Sequence, residues 1–463
     1  MTKGEDVEIS FDFSKAIKTL VKHKTAISLL ILIGIFYLSL SVRLATVDEP
    51  YLLAADPHYW YRMTLNLVEG DAGIDYLRHY PEPHSFVHSF LPYSAAYSFK
   101  LANALTGIEF YRFLFWFPAI IAALSVFPAF LIGRELYSNK AGLFTAFFIG
   151  LTPSFLSRSL AGFFDTDCMN ILLSLVVISL FLAAYNRVDV NNIRKKSPVI
   201  LSILSGIFLA AFALNWGGGF AYVPWVFIGL FGSHWFYRIL IAKGNNLTEK
   251  LKHSWFFFRG HLLVYVILFA TFFCFTFPFV GTAPANSIVA VTSFFQTAKA
   301  EGGIFPNVWI SISEEMSASL DSIISRVTPP IFFLSFFGLS MLLMLFLRNI
   351  TSYDNYEGSY GIAFIGFLIF FLSFYLISAS TIYPLIAFLF SVSGILFGLV
   401  IKNKKFYVET FLFLFVWIVP TFYGSFWAVR FTSMLALPMS ICAGIALGIL
   451  FDVCINAVKK YGK

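Results

Sequence analysis

The sequence predicts an all-α protein that crosses a membrane about twelve times, and three observations carry that expectation. Hydrophobic residues make up 59% of the 463 and charged residues only 12%, against about 45–50% and about 25% in soluble domains. The mean hydropathy is +0.79, and 58 residues are Phe. The apolar residues also fall in runs near the length of about 20 that a helix needs to span the hydrocarbon core.

Taken in order, these runs lie near 26–46, 112–133, 141–157, 168–186, 198–214, 219–241, 260–281, 329–347, 360–379, 382–401, 406–420 and 432–456. The first follows "KAIKTLVKHK" and is not followed by a small-residue cleavage site. It therefore reads as a retained first helix and not as a removed signal peptide. The loops richest in Lys and Arg are "NRVDVNNIRKKS", "AKGNNLTEKLKHS" and "KNKK". By the positive-inside rule, both termini of this multi-pass cell-membrane protein are expected in the cytoplasm. Two long loops, about 47–111 and about 282–328, are expected on the external face, and long loops in compact proteins usually carry function. No soluble domain and no internal repeat stand out.

The net charge of +7 is spread over short loops, so it does not point to a nucleic-acid partner. Cys168, Cys274, Cys442 and Cys454 lie in or against apolar runs at no metal-like spacing. They read as buried thiols.

Five acids stand out on the expected external face. The stretch "SRSLAGFFDTDCMNILLSL" places Asp165 and Asp167 directly before an apolar run. "AADPHYWYR" places Asp56 before a Pro, which suits the first turn of a helix. "NVWISISEEMSASL" supplies Glu314 and its neighbour Glu315. Acids gathered on one face from separate segments offer the oxygen ligands that Mg²⁺ or Mn²⁺ prefers. A plainer reading is that Asp165 or Asp167 caps the helix that follows, where negative charge favours the dipole. Arg430, in "YGSFWAVRFTSMLALPMS", either snorkels to the interface or binds an anionic carboxylate or phosphate.

Several of these motifs carry a resemblance. "SRSLAGFFDTD" resembles the second acidic motif of oligosaccharyltransferase catalytic subunits, and "DPHYWYR" resembles the first, particularly in archaeal members. "SISE", Ser311 to Glu314, resembles the short external-loop motif that ends in Glu. "NWGGGFAYV" from Asn215 resembles a Trp-Gly-Gly stretch of an inner helix, and "RFTSMLALP" from Arg430 resembles the bacterial Arg-bearing helix. The motifs occur in the family's order.

The resemblance implies a C-type glycosyltransferase fold. It implies transfer of a glycan from a polyprenyl phosphate or diphosphate to the amide nitrogen of Asn in Asn-X-Ser/Thr. It carries over Asp56, Asp165 and Asp167 as residues of a Mn²⁺ or Mg²⁺ site, with His79, His84 or His88 as further candidates. Asp56 and Glu314 would contact the acceptor amide, and Arg430 would bind substrate by pairing with an acid upstream of the acceptor Asn, as its counterpart does in bacterial members. The implied partners are a polyprenyl-linked oligosaccharide, an acceptor protein or peptide and membrane lipid. Family members also carry a soluble domain with a Trp-Trp-Asp-Tyr-Gly motif, whereas these 463 residues contain no Trp-Trp pair. The expectation is a truncated, split or shortened member that a separate C-terminal-domain subunit would complete. Two other readings are a different C-type enzyme, such as a protein O-mannosyltransferase or lipid-sugar transferase, and a non-catalytic paralogue that binds lipid-linked glycan. A transporter fits less well, because its ionisable groups would sit near mid-membrane.

Overall fold

The computed structural model describes residues 24–71, 73–77, 81–82, 84–85, 89–189, 191–192, 195–242, 244, 246–297, 316–354, 382–401 and 408–461. The protein is an all-α polytopic membrane protein. Among the described residues, nine helical stretches are long and apolar enough to cross a membrane. The run expected at 360–379 lies outside the described residues.

The first crossing helix, α1 (Lys24–Arg43), runs into a 3-10 turn at Leu44–Thr46. Next come α2 (Ala55–Glu69), with Asp56 in its first turn, and α3 (Phe90–Thr106). Both stop at a left-handed glycine, Gly70 at φ +86° and Gly107 at φ +68°, the usual way to end a helix without a Cβ clash. Between them, Ile74–Asp75 and His84–Ser85 pair as two short antiparallel strands. Arg62 of α2 fixes that hairpin by a 2.8 Å ion pair to Asp75.

One crossing is built from α4 (Phe110–Leu124) and α5 (Val126–Leu136), broken at Ser125. The run expected at 141–157 is divided. It forms α6 (Asn139–Leu151), capped by the Ser138 hydroxyl, and a single turn, α7 (Pro153–Leu156). Pro153 has no N–H to continue the first ladder, so the chain turns there and starts the strap that leads to Asp165.

The remaining helices are α8 (Asp167–Asn186), α9 (Lys196–Asn215), α10 (Tyr222–Ile241), α11 (Leu247–Val280) and α12 (Ala283–Thr297). They are followed by α13 (Leu320–Val327), α14 (Pro329–Asp354), α15 (Ile382–Val400), α16 (Val408–Trp427) and α17 (Thr432–Tyr461). Helix α10 has the length to cross, but its aromatic, His and Arg residues dilute its apolar character. His234 and Arg238 of α10 meet Glu409 of α16 at 3.3 and 3.5 Å, tying these helices together at one end.

The core lies on α8 and α17. Some 78% of the α8 crossing and 83% of the α17 crossing are buried, against 11% for α1. Small residues allow the closest contacts. A Cβ on Gly444 would sit 2.4 Å from the Thr145 hydroxyl, and one on Gly448 would sit 2.8 Å from the Ala141 methyl. Two of the four thiols depart from the expected burial: Cys168 and Cys442 are buried, but Cys274 and Cys454 are exposed. An apolar run does not say which side of its helix faces outward.

Candidate active site

The two acidic motifs meet because the loop after α1 bonds back onto the strap at two points. Thr46 donates its hydroxyl to the Ala161 carbonyl at 2.8 Å. The Leu53 N–H donates to the Gly162 carbonyl at 3.1 Å, and the Gly162 N–H donates to the Phe115 carbonyl at 2.8 Å. Gly162 sits at φ +85°, and a Cβ there would lie 2.7 Å from the Phe115 ring. Backbone conformation and space both require glycine. Asp56 follows Leu53 by three residues, and Asp165 follows Gly162 by three, so one contact aligns both acids.

Asp165 is 8% exposed. Its Oδ1 accepts from the Thr166 N–H at 2.6 Å and from the Thr166 hydroxyl at 3.2 Å. Burial pushes its pKa up, and the charge of Asp56 pushes it further, while the Thr166 bonds and Arg158 oppose the rise. Asp56 itself is exposed. The cap position of α8 is held by Thr166, with no side-chain capping bond, and Asp167 lies in the first turn. Asp165 is therefore not the cap of that helix.

Asp167 faces a polar pocket of about 150 Å³, which it shares with Arg158, Asn170, Trp216, Arg326 and Arg430. Among the described residues, no group of three or more His, Cys, Asp and Glu gathers at one point. The structure thus brings Asp56 and Asp165 within electrostatic reach and sets Asp167 on the pocket wall. Asn215, which ends α9, donates to Asn170 Oδ1 at 2.8 Å and to the Thr166 carbonyl at 3.3 Å. It braces the start of α8. The buried Asn170 amide nitrogen has no hydrogen-bond partner among the described residues.

Arg430 lies in a 3-10 turn, Val429–Phe431, between α16 and α17. Its guanidinium stands over the Trp216 ring, 5.7 Å from the centroid, a cation–π distance. The indole lies against Gly219, where a Cβ would be 2.1 Å from the ring. Behind Trp216 opens an apolar groove of about 680 Å³ between α10 and α16. Pocket and groove share Trp216, Tyr222, Arg430 and Met434. Helix α12 closes one side: the Trp225 indole N–H donates to the Ile288 carbonyl at 2.8 Å, and the Ser287 hydroxyl donates to the Gly217 carbonyl at 2.9 Å.

Some expected residues fall elsewhere. Glu314, with its "SISE" motif and Glu315, lies outside the described residues, as do His79 and His88. His84 is in the second short strand. Sequence reasoning did not assign Arg158 or Arg326 to the site. Arg158 had a signal, being inside the quoted acidic motif, whereas Arg326 had none beyond its charge in a long loop.

The family model described as "Oligosaccharyl transferase STT3, N-terminal" matches residues 26–462. The chain belongs to this family. Among relatives, it is 25% identical over 496 residues to the dolichyl-phosphooligosaccharide-protein glycotransferase of Methanococcus voltae, covering 95% of this chain and 48% of that protein. It is 27% identical over 248 residues to dolichyl-phosphooligosaccharide-protein glycotransferase 3 of Archaeoglobus fulgidus, covering 52% of this chain and 27% of that protein. The chain therefore spans at most about half the length of these relatives.

Its fold is similar to that of the archaeal oligosaccharyltransferase AglB from Archaeoglobus fulgidus, solved with an inhibitory peptide and a dolichol-phosphate. The TM-score is 0.59 at 17% identity, over 95% of this chain and 52% of that one. An Archaeoglobus fulgidus oligosaccharyltransferase solved with Zn and sulfate is also similar, with a TM-score of 0.56 at 20% identity, over 92% of this chain and 49% of that one. These likenesses establish the membrane-embedded all-α fold of the family.

Proposed function

We propose that the chain is the membrane part of an oligosaccharyltransferase-type glycosyltransferase, taking a glycan from a polyprenyl phosphate or diphosphate to an acceptor Asn in Asn-X-Ser/Thr. One observation carries this reading. A pocket lined by three arginines and Asp167 shares Trp216 and Arg430 as a wall with a large apolar groove. A substrate with an anionic group on a long hydrocarbon tail matches both halves at once. The dolichol-phosphate and inhibitory peptide bound to the archaeal relative support the same substrate classes.

Two carboxylates within electrostatic reach, one of them raised in pKa by burial and then by the charge of the other, fit a hard divalent cation. In this reading Asp56 and Asp165 hold Mn²⁺ or Mg²⁺, and Asp167 completes the acidic edge from the pocket wall. When bound, the cation supplies neutralisation of charge growing on the departing phosphate. Arg430 binds that phosphate and is aimed by the Trp216 ring. Asp56 and Glu314 accept the N–H bonds of the acceptor amide, which turns its lone pair away from the carbonyl and toward the sugar. The site faces the exterior and both termini face the cytoplasm, as the basic loops require. The acceptor Ser or Thr is read by a soluble domain outside residues 1–463, on the same polypeptide or on a partner.

The test uses the purified chain with Mn²⁺, a polyprenyl-linked glycan and an Asn-X-Thr peptide, with and without a soluble domain bearing Trp-Trp-Asp-Tyr-Gly. Donor binding by the chain alone, and peptide transfer once the domain is added, are expected. Absence of donor binding would overturn the reading.

A further inference from the structure

Arg43, the last residue of α1, is 0% exposed. It has no ion pair among the described residues. It is instead held by neutral groups from three segments. Its Nε donates to the Ser159 hydroxyl at 2.9 Å, and its Nη1 donates to the Gly150 carbonyl at 2.7 Å. The same Nη1 donates to the Ser39 hydroxyl at 2.6 Å and the Ser39 carbonyl at 3.0 Å. The Phe155 ring lies under the guanidinium at 4.8 Å. Gly150 is in the last turn of α6, where a positive charge suits the helix dipole.

The backbone of Arg43 works on the same partner. Its carbonyl accepts from the Ala161 N–H at 2.8 Å. Ser159 is fully engaged, since it also donates to the Phe155 carbonyl at 2.7 Å. Arg43 thus grips the strap 159–161 with side chain and main chain together. Beyond that grip the chain touches the strap twice more, through Thr46 on Ala161 and Leu53 on Gly162. The chain continues to Asp56 and the strap to Asp165. A desolvated guanidinium without a counter-charge is an expensive strut if its only task is to anchor a loop, because a neutral side chain would avoid the desolvation.

We propose that Arg43 is a positioning residue that sets the separation of the Asp56 and Asp165 carboxylates. The inference rests on the reading of those acids as a cation site, and its test separates the two. Arginine is required because its planar fork meets Ser159 and Gly150 in fixed directions, whereas a lysine ammonium is a point donor. Residues that orient ligands from behind typically change metal affinity by about 10–100-fold when replaced.

The experiment compares the full chain in nanodiscs with its Arg43→Lys and Ser159→Ala variants, the latter a milder change that removes one of the guanidinium's bonds together with the hydroxyl's own bond to Phe155. Two quantities are measured. One is Mn²⁺ affinity by electron paramagnetic resonance. The other is the distance distribution between spin labels at Tyr51 and Ser157, with Cys274 and Cys454 replaced by Ser. Arg43→Lys is expected to weaken Mn²⁺ binding by about tenfold or more and to broaden the distribution. Ser159→Ala is expected to do both to a smaller degree. An unchanged distribution in a folded variant overturns the positioning role, whatever the metal does. Mn²⁺ binding that survives Asp165→Asn overturns the cation reading instead, and the label distances then still decide whether Arg43 sets the spacing.

Discussion

The polar pocket and the apolar groove share one wall and differ in almost everything else. The pocket is small, about 150 Å³, and is built from charged side chains on the strap, α8, α13 and the turn before α17. The groove is several times larger, about 680 Å³, and is built from the faces of α10 and α16. The pocket depends on where single atoms sit. The groove depends on how far apart two helices stand. Directional groups of fixed charge lose their effect when displaced by an ångström, whereas an apolar wall tolerates exchange of one hydrocarbon for another. Substitutions in the pocket should therefore abolish function, and those in the groove should grade it.

The sharpest way to break this contrast is Asp165→Asn. On the proposed cation role of Asp165, transfer is expected to fall by about 10³-fold, and EDTA should do the same to the wild-type protein. A variant that keeps most of its turnover in a transfer assay would show that the buried acid is structural. Arg430→Leu comes next. Loss of its charged hydrogen bonds should weaken binding of the phosphate-linked donor by about 10–100-fold, read by calorimetry, with donors lacking the phosphate unaffected. If both donors weaken equally, Arg430 only shapes the groove.

Gly162→Ala tests the frame rather than the chemistry. Strain at φ +85° and a 2.7 Å approach to Phe115 should spread the acids and cut Mn²⁺ affinity by about tenfold, measured in protein that still elutes as a single species. Wild-type affinity would mean that the strap adapts. The smallest effect belongs to the groove. A Cβ on Gly229 would meet Val416 at 2.3 Å, so Gly229→Ala should part α10 and α16 slightly. Binding of a long polyprenyl donor is expected to change by about threefold to tenfold, with a short-chain donor unaffected. Equal changes for both would place the tail elsewhere.

Much of this organisation was legible before any fold was seen, but at different depths. The apolar runs announced membrane helices because hydrocarbon admits only segments that satisfy their own backbone. They did so correctly for α1, α8, α9 and α17, where composition alone is decisive. They blurred at 141–157, because Pro153 sits inside an apolar stretch and turns the chain without making it polar. Asp165 stood out because it directly precedes an apolar run, and Asp56 because it precedes a Pro at the start of a helix. Arg326 did not, since a lone arginine in a long loop has no pattern to distinguish it.

By itself the sequence determined the membrane setting, the helical class, the family motifs and the residue types available for catalysis, because these follow from composition and local order. Only the tertiary structure decided that Leu53 bonds to Gly162, that Arg43 grips Ser159, and that Trp216 divides an arginine-lined pocket from an apolar groove. Those contacts join residues far apart along the chain, and local periodicity does not encode them.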